Sequence, residues 1–403
     1  MFEKKILQTV LSKIKDCSFK VTYWDGESEV YNAEHEQDLK FHLKINEKLN
    51  LKEIRQNPQL RLGEAYIQGK IDVEGKLKKV LEAGIKNINH LKNEDFNNED
   101  TKKFWQRQEK SSQKEQEEGV KEHYDLGNDF FELWQDETMT YSCAYFQSYQ
   151  DSLKQAQIQK IDHILNKLNL SPGEKILDIG CGWGSLAIRA AEKYDVEVVG
   201  ITLSEEQVKG ASQKISQKKL DNQIEIRKQD FRDLSRTENK FDKVVSVGMF
   251  EHVGKEHIPE YFQVVNDLLK PGGLSLLHTI THLKEIPTHP WLEKYIFPWG
   301  YIPSLREIIW ELPEYSFQVL DVENIGLHYS LTAEHWKENY EKVTDQVREK
   351  FDQEFVRMWR LFLAGVIVTF RYGNTDVHQI LFSKGINNEL PLTRDYMYAE
   401  NNQ

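Results

Sequence analysis

Two stretches of this 403-residue chain carry residue types and spacings suited to chemistry. The first is Leu177-Asp178-Ile179-Gly180-Cys181-Gly182-Trp183-Gly184. Its three alternating glycines follow an apolar run, Lys175 to Ile179, and precede a helix-like pattern from Ser185 to Tyr194. A strand feeding a glycine turn and then a helix brings a small ligand against bare backbone and a helix N-terminus. Spacing narrows the ligand. The phosphate-cradling GxxxxGK(S/T) is absent, and the dinucleotide pattern GxGxxG is not met. What remains is a nucleotide-type cofactor of another kind, or a strand-turn-helix with no ligand. The second stretch is Ser246-Val247-Gly248-Met249-Phe250-Glu251-His252-Val253-Gly254. A Glu-His pair inside an apolar turn is hard to explain as packing, because a buried carboxylate is costly without a partner.

The elements that must position these groups alternate between strand and helix. Strands are predicted at 175–179, 196–201, 223–228, 242–247, 274–280, 317–322 and 378–383, with helical patterns between most of them. That alternation implies an α/β fold with a mostly parallel, doubly wound sheet. Ligands of such a sheet bind at the carboxyl ends of its strands. The second strand ends in Gly200 to Gln207, where Ser204 and Gln207 have capping-box spacing. Thr202 stands where a ribose-gripping acid would be expected, which leaves ribose contacts to Thr202, the Leu203 backbone and Gln207. The third strand ends in Gln229 to Leu234, offering Phe231 and Arg232 to a purine, and the fifth ends near His278 and Ile280. An acid just before GxGxG is the usual form of the S-adenosylmethionine (SAM) loop in Rossmann-like methyltransferases.

The first ~92 residues read as a small α+β unit. Phe19–Trp24 and Phe41–Ile45 alternate like strands, Gly63–Ile67 and Gly69–Val73 follow, and a helix is predicted from Leu77 to Leu91. That helix is either a surface helix over a core or a basic amphipathic helix touching a membrane. Residues 93–119 are polar and read as a linker or exposed helix, interrupted by Phe104-Trp105. The catalytic domain is expected at 120–403, with an aromatic cover near 287–316 and helices over 331–372.

Composition excludes several classes. The net charge of −12 argues against a broad grip on nucleic acid. Three cysteines, none at metal spacing, point to a reducing compartment without a disulfide scaffold. The N-terminus lacks a signal-peptide core. The longest apolar run, Leu361 to Phe370, is too short to span a bilayer and is expected to be core or the wall of an apolar channel. A cytoplasmic protein, at most peripheral to a membrane, is the expectation.

The ordered motifs together resemble those of the cyclopropane-fatty-acyl-phospholipid synthases and their mycolic acid relatives. The resemblance is carried by His123–Phe131, Tyr141–Tyr145, Leu177–Gly184, Gly200–Gln207, Gln229–Leu234, Gly248–Gly254, His278–Ile280, Lys294–Pro298 and His328-Tyr329. Gly63–Ile67 and Gly69–Val73 are similar to the N-terminal region of the phospholipid-acting members. The resemblance implies a Rossmann-like, class I SAM-dependent methyltransferase fold with a seven-stranded, mostly parallel sheet. It implies a SAM site lined by Tyr141, Ser142, Gly180, Cys181, Gly182, Thr202, Leu203, Gln207, Phe231 and Arg232, with Tyr124 closing over it. It also implies a bicarbonate ion held by Cys143, Glu251, His278, the Ile280 carbonyl and Tyr329. The implied reaction adds a methylene across the cis double bond of an unsaturated phospholipid acyl chain at the inner face of the membrane. A homodimer is implied by the resemblance only. One departure is Val366, where some members carry a cysteine, so a covalent role for a cysteine there is not available. Methyl- or methylene-branched products, or lipid or SAM binding without turnover, are the alternatives.

Overall fold

Phe19, Val21 and Tyr23 point to one side of their strand and Lys20 and Thr22 to the other, the period-2 pattern of a half-buried sheet. The computed structural model describes residues 2–15, 17–33, 39–87, 104, 126–236 and 240–398. Contacts divide the chain into two units. One comprises residues 1–106, 289–296 and 333–374, and the other 107–288, 297–332 and 375–403. The division is therefore not a single cut in the polar segment.

The first unit holds a four-stranded sheet of β1 (Phe19–Thr22), β2 (Ser28–Tyr31), β3 (Phe41–Ile45) and β4 (Ile71–Gly75), in the order β2-β1-β3-β4. β1 and β3 are parallel, and the β1–β2 and β3–β4 pairs are antiparallel. The Phe19 ring stacks between Tyr31 and Phe41, 5.0 Å from each. Gly63–Ile67 is the last half of a helix, Pro58–Ile67, whose start is fixed by the Asn57 side chain accepting from the Leu60 amide. The helix expected at 77–91 is described over Leu77–Lys86, and residues 88–91 lie outside the described residues. Its Leu77 and Leu81 pack with Tyr66, Val73, Leu361 and Ala364. Its apolar face is thus occupied within the unit, and Leu361 and Ala364 of the helix Gln353–Tyr372 are core residues there. The helix Pro290–Tyr295 also belongs to this unit. Lys294 Nζ and the Tyr295 hydroxyl reach Glu64 Oε1 at 2.6 and 3.2 Å.

The second unit is built on a seven-stranded sheet. Its strands are β5 (Lys175–Ile179), β6 (Glu197–Thr202), β7 (Ile224–Lys228), β8 (Phe241–Val247), β9 (Leu269–His282), β10 (Phe317–Asn324) and β11 (Thr375–Lys384). The order is β10-β11-β9-β8-β5-β6-β7, and β11 runs antiparallel to both its neighbours. The strands agree with the predicted positions to within two residues, except that β9 starts five residues early and β11 three. Lys270–Gly273 reads as a turn but is carried as extra residues opposite Asp242, where the β8–β9 register shifts. From β5 the chain moves outward to β6 and β7, then returns to β8 on the other side. That reversal is the topological switch point, where open α/β sheets bind ligands. Helices Leu153–Leu168, Ser185–Tyr194 and Glu205–Lys218 contribute Ile161, Ile164, Leu186, Ala187 and Ile215 to the core around β5 and β6.

Candidate active site

At the switch point a cleft of about 1100 Å³, open mouth included, is lined by the β5 turn, the ends of β6, β7 and β8, and the strap 139–142. Gly180, Gly182 and Gly184 all take positive φ, at +81°, +54° and +78°. A Cβ on Gly180 would sit 2.6 Å from Met249 Cβ, whereas one on Gly182 would meet nothing within 4 Å. The first glycine serves a tight crossing and the second leaves backbone bare to the cleft. The turn is tied to β6 by the Gly180 and Cys181 amides, which donate to the Ile201 carbonyl at 2.9 and 3.0 Å.

Ser204 caps the helix Glu205–Lys218 by accepting from the Gln207 amide at 3.3 Å. The reciprocal half of a capping box is absent. Instead the Thr202 hydroxyl donates to Gln207 Oε1 at 2.5 Å, holding both side chains on the cleft wall. After β7, Arg232 grips Asp230 through Nε and a terminal nitrogen at 2.8 and 2.7 Å, and both side chains are nearly buried. Phe231, beside them, packs edge-on against Tyr261 with ring centroids 5.5 Å apart. Tyr141, Ser142, Gly180, Cys181, Gly182, Thr202, Leu203, Gln207, Phe231 and Arg232 therefore line one cleft. Tyr124 lies outside the described residues, as do His123, Asp125 and the segment 93–119 apart from Phe104.

None of the other expected group lies on that wall: Cys143, Glu251 and His278 are buried, and Ile280 and Tyr329 partly so. Glu251 sits in a short 3-10 turn after β8, and its Oε1 accepts from the Ile280 amide at 2.6 Å. Oε2 makes no hydrogen bond among the described residues, and the Thr279 hydroxyl donates to the Ile280 carbonyl at 3.3 Å. Burial raises the Glu251 carboxyl above its ordinary pKa, against the lowering effects of the Ile280 amide, its own amide and the Thr279 hydroxyl. On β9, His278 Nδ1 lies 3.3 Å from the Gln379 amide nitrogen of β11, and burial pulls its pKa well below the ordinary imidazole value. Cys143 Sγ donates towards the Ala144 carbonyl at 3.3 Å and lies 3.8 Å from the Ile325 carbonyl, and burial pushes its thiol far above the usual range. Tyr329 follows one turn later on the helix Gly326–Lys342 and is half-buried. Strand pairing links the set, because the Ile325 amide donates to Val377, the β11 partner of Ile280. The two groups adjoin along the chain: Ser142 on the cleft wall precedes Cys143, and Met249 and His252 on the wall flank Glu251.

With this geometry in place, comparison with known proteins identifies the lineage. Residues 111–380 match the mycolic acid cyclopropane synthetase family. The chain belongs to that family. Residues 6–95 match a domain of unknown function. A cyclopropane-fatty-acyl-phospholipid synthase of Escherichia coli (strain K12) is 39% identical over 359 residues, 85% of this chain and 88% of its own. A probable fatty acid methyltransferase of Pseudomonas putida is 38% identical over 348 residues, 84% of this chain and 86% of its own. Among solved structures, the cyclopropane synthase MmaA2 from Mycobacterium tuberculosis is 33% identical with a TM-score of 0.63, covering 66% of this chain and 98% of its own. A mycolic acid cyclopropane synthase crystallised with SAH and CTAB gives the same TM-score and coverage at 35% identity. The chain is a SAM-dependent methyltransferase of the cyclopropane synthetase family, and its Rossmann-like fold is that of its relatives.

Two wall residues escaped the sequence analysis. Asp230 is one, read only as a loop edge, whose carboxylate fixes Arg232. Lys160 is the other, buried on the helix Leu153–Leu168 with Nζ 2.8 Å from Ser142 Oγ. Gln157, Lys160, Ile164 and Lys167 recur at helical spacing, so polar residues on a buried stripe were the available signal.

Proposed function

We propose that this chain transfers a methylene unit from SAM to the cis double bond of unsaturated phospholipid acyl chains. The carrying observation is a glycine-backed cleft whose wall residues Ser142, Met249 and His252 adjoin, along the chain, the buried Cys143 and Glu251, with His278 also buried. The 85% coverage by a phospholipid-acting synthase supports the lipid substrate. In the reaction the alkene π electrons attack the SAM methyl carbon as its bond to sulfur breaks. The product thioether leaves, and a carbocation remains on the acyl chain. Loss of a proton from the new methyl lets its electrons close the three-membered ring. Water would quench the cation, so exclusion of solvent is part of the chemistry. The alkene is a weak nucleophile, and alignment in the cleft must lower much of the barrier. The half-buried Tyr329 ring can stabilise positive charge by ~0.5–2 kcal/mol.

The proton acceptor we propose is a bicarbonate ion, and the residues present fit one. When bound, it supplies a general base beside the transferred methyl. Burial keeps the Cys143 thiol protonated and His278 neutral, and Glu251 Oε2 has no hydrogen bond among the described residues. With the Gln379 amide nitrogen as donor, His278 Nδ1 accepts and Nε2 carries the ring proton. With the ion bound, His278 Nε2 would donate to it and Glu251 Oε2 would share its hydroxyl proton.

Among the described residues no helix is long and apolar enough to cross a membrane. We further propose that the enzyme acts in the cytoplasm, peripheral to the inner membrane face, as a homodimer whose N-terminal residues 1–92 assist lipid docking. The deciding experiment is mass spectrometry of acyl chains after incubation with SAM and unsaturated phospholipid vesicles. A product one CH2 heavier without a double bond is expected. A methyl- or methylene-branched product would instead favour the second reading, to which the similarity to a probable fatty acid methyltransferase lends weight.

A further inference from the structure

Two lysines lie fully buried two turns apart on the helix Leu153–Leu168, and the fold treats them differently. Lys167 is neutralised by Glu323 at 2.6 Å and Asp321 at 3.4 Å. Lys160 has no carboxylate within 4.0 Å among the described residues, and its one hydrogen bond goes to the Ser142 hydroxyl at 2.8 Å. Asp136 and Asp178 act on Lys160 only from beyond ion-pair distance, and a buried ammonium with no carboxylate in contact is costly enough that proteins seldom keep one without use. Lys160 is not sealed in the core, because it lines the cofactor cleft next to Ser142, Asp178 and Gly180. Thr202, Gln207, Phe231 and Arg232 mark the nucleoside end of the cleft, over β6 and β7. Lys160 lines the cleft within electrostatic reach of Asp178, the β5 residue two before Gly180, which marks the end where the amino-acid tail of the cofactor would lie.

We infer that Lys160 is the counter-charge for the carboxylate of the SAM amino-acid tail, with Ser142 holding the ammonium in position. The inference rests on the SAM reading of the cleft. Burial lowers the Lys160 pKa to about 8, so a bound carboxylate also keeps the ammonium charged at neutral pH. The assignment explains why the strap is pinned at this point. Gln157, one turn before Lys160, donates to the Thr140 and Ser142 carbonyls, both at 3.0 Å.

The test is calorimetric binding of S-adenosylhomocysteine and of its decarboxylated analogue to the full-length protein. Wild type should bind the acid at least ~30-fold more tightly than the analogue, as expected for a buried charge pair. In Lys160→Met that preference should fall below ~3-fold, with analogue affinity nearly unchanged. Equal weakening of both ligands in Lys160→Met, or a preference that survives it, would overturn the inference. So would loss of bicarbonate dependence with homocysteine-ligand affinity intact, since the lysine would then serve the other anion. If Lys160→Met does not fold, the wild-type comparison alone decides, and equal binding of the two ligands overturns the inference. Failure of wild type to bind either ligand would instead overturn the SAM reading itself.

Discussion

The Ile280 amide donates to Glu251 Oε1 at 2.6 Å, joining the turn after β8 to the carboxyl end of β9. That bond fixes the carboxyl plane and leaves Oε2 as the atom that can face a bound group. Glu251→Gln keeps an acceptor for the Ile280 amide and changes only what stands at Oε2. Turnover with vesicles should fall ~10²-fold or more, in the range for a misplaced acid-base group. Affinity for S-adenosylhomocysteine should change less than ~3-fold, because Glu251 is not on the cleft wall. Unchanged turnover in this variant would remove Glu251 from the chemistry.

Gly180 and Met249 cross at van der Waals limits. An alanine Cβ at position 180 would lie 2.6 and 2.8 Å from Met249 Cβ and Cγ, on backbone held at φ +81°. Gly180→Ala should weaken S-adenosylhomocysteine binding by ~10-fold or more, through displacement of the turn. Adding Met249→Ala should restore part of the affinity, since the collision is with that side chain and only the φ strain remains. Wild-type affinity in the single variant, measured by calorimetry, would contradict this packing.

Much of the second unit was legible because its signals are local. Alternation of apolar runs located every strand of the large sheet, and three glycines with positive φ announced the cofactor turn. Ser204 likewise marked a helix start that the structure places at Glu205. The helices before β1 and β4 were not legible. Phe2–Leu11 and Pro58–Ile67 owe their existence to tertiary packing as much as to pattern. Lys160 was missed for a different reason. Its meaning depends on which lysine of one helix meets a carboxylate, and Asp321 and Glu323 lie more than 150 residues away in sequence. Likewise, nothing local says that Gly63 passes beneath the Trp291 ring, where an added Cβ would lie 2.5 Å from Cδ1.

Within the first unit, Arg357 acts as a cross-strut between helix and strand. Its Nε donates to the Tyr66 carbonyl at 2.6 Å, one terminal nitrogen donates to Ile71 at 2.8 Å, and the other pairs with Asp72 at 2.7 Å. The guanidinium also lies 4.3 Å from the Tyr66 ring centroid. Arg357→Met strips two carbonyls of charged donors and should cost about 2–4 kcal/mol, read as a lower denaturant midpoint. Arg357→Lys should recover less than half, because one ammonium cannot span the fork. Equal stability of wild type and both variants would show the strut to be dispensable.

Acid should weaken the second unit through Glu323. His163 Nε2 and Lys167 Nζ both reach its Oε2 at 2.6 Å, from one helix face four residues apart. Burial pushes the carboxyl up, but the His163 hydrogen bond and the Lys167 charge outweigh it and hold the pKa at about 2. An unfolded glutamate titrates near ~4.3, so between these values the unfolded chain binds more protons than the folded one. The contribution is therefore fully present above ~4.3 and is lost as the pH falls towards 2. Glu323→Gln removes the charge at every pH and leaves the buried Lys167 with Asp321 at 3.4 Å. The variant should melt lower than wild type at pH 7, and the difference should shrink steadily from pH 5 to pH 3. Thermal melts across that window read the gap directly. A gap that stays constant with pH would mean that the carboxylate charge contributes nothing and that shape alone holds Glu323 in place.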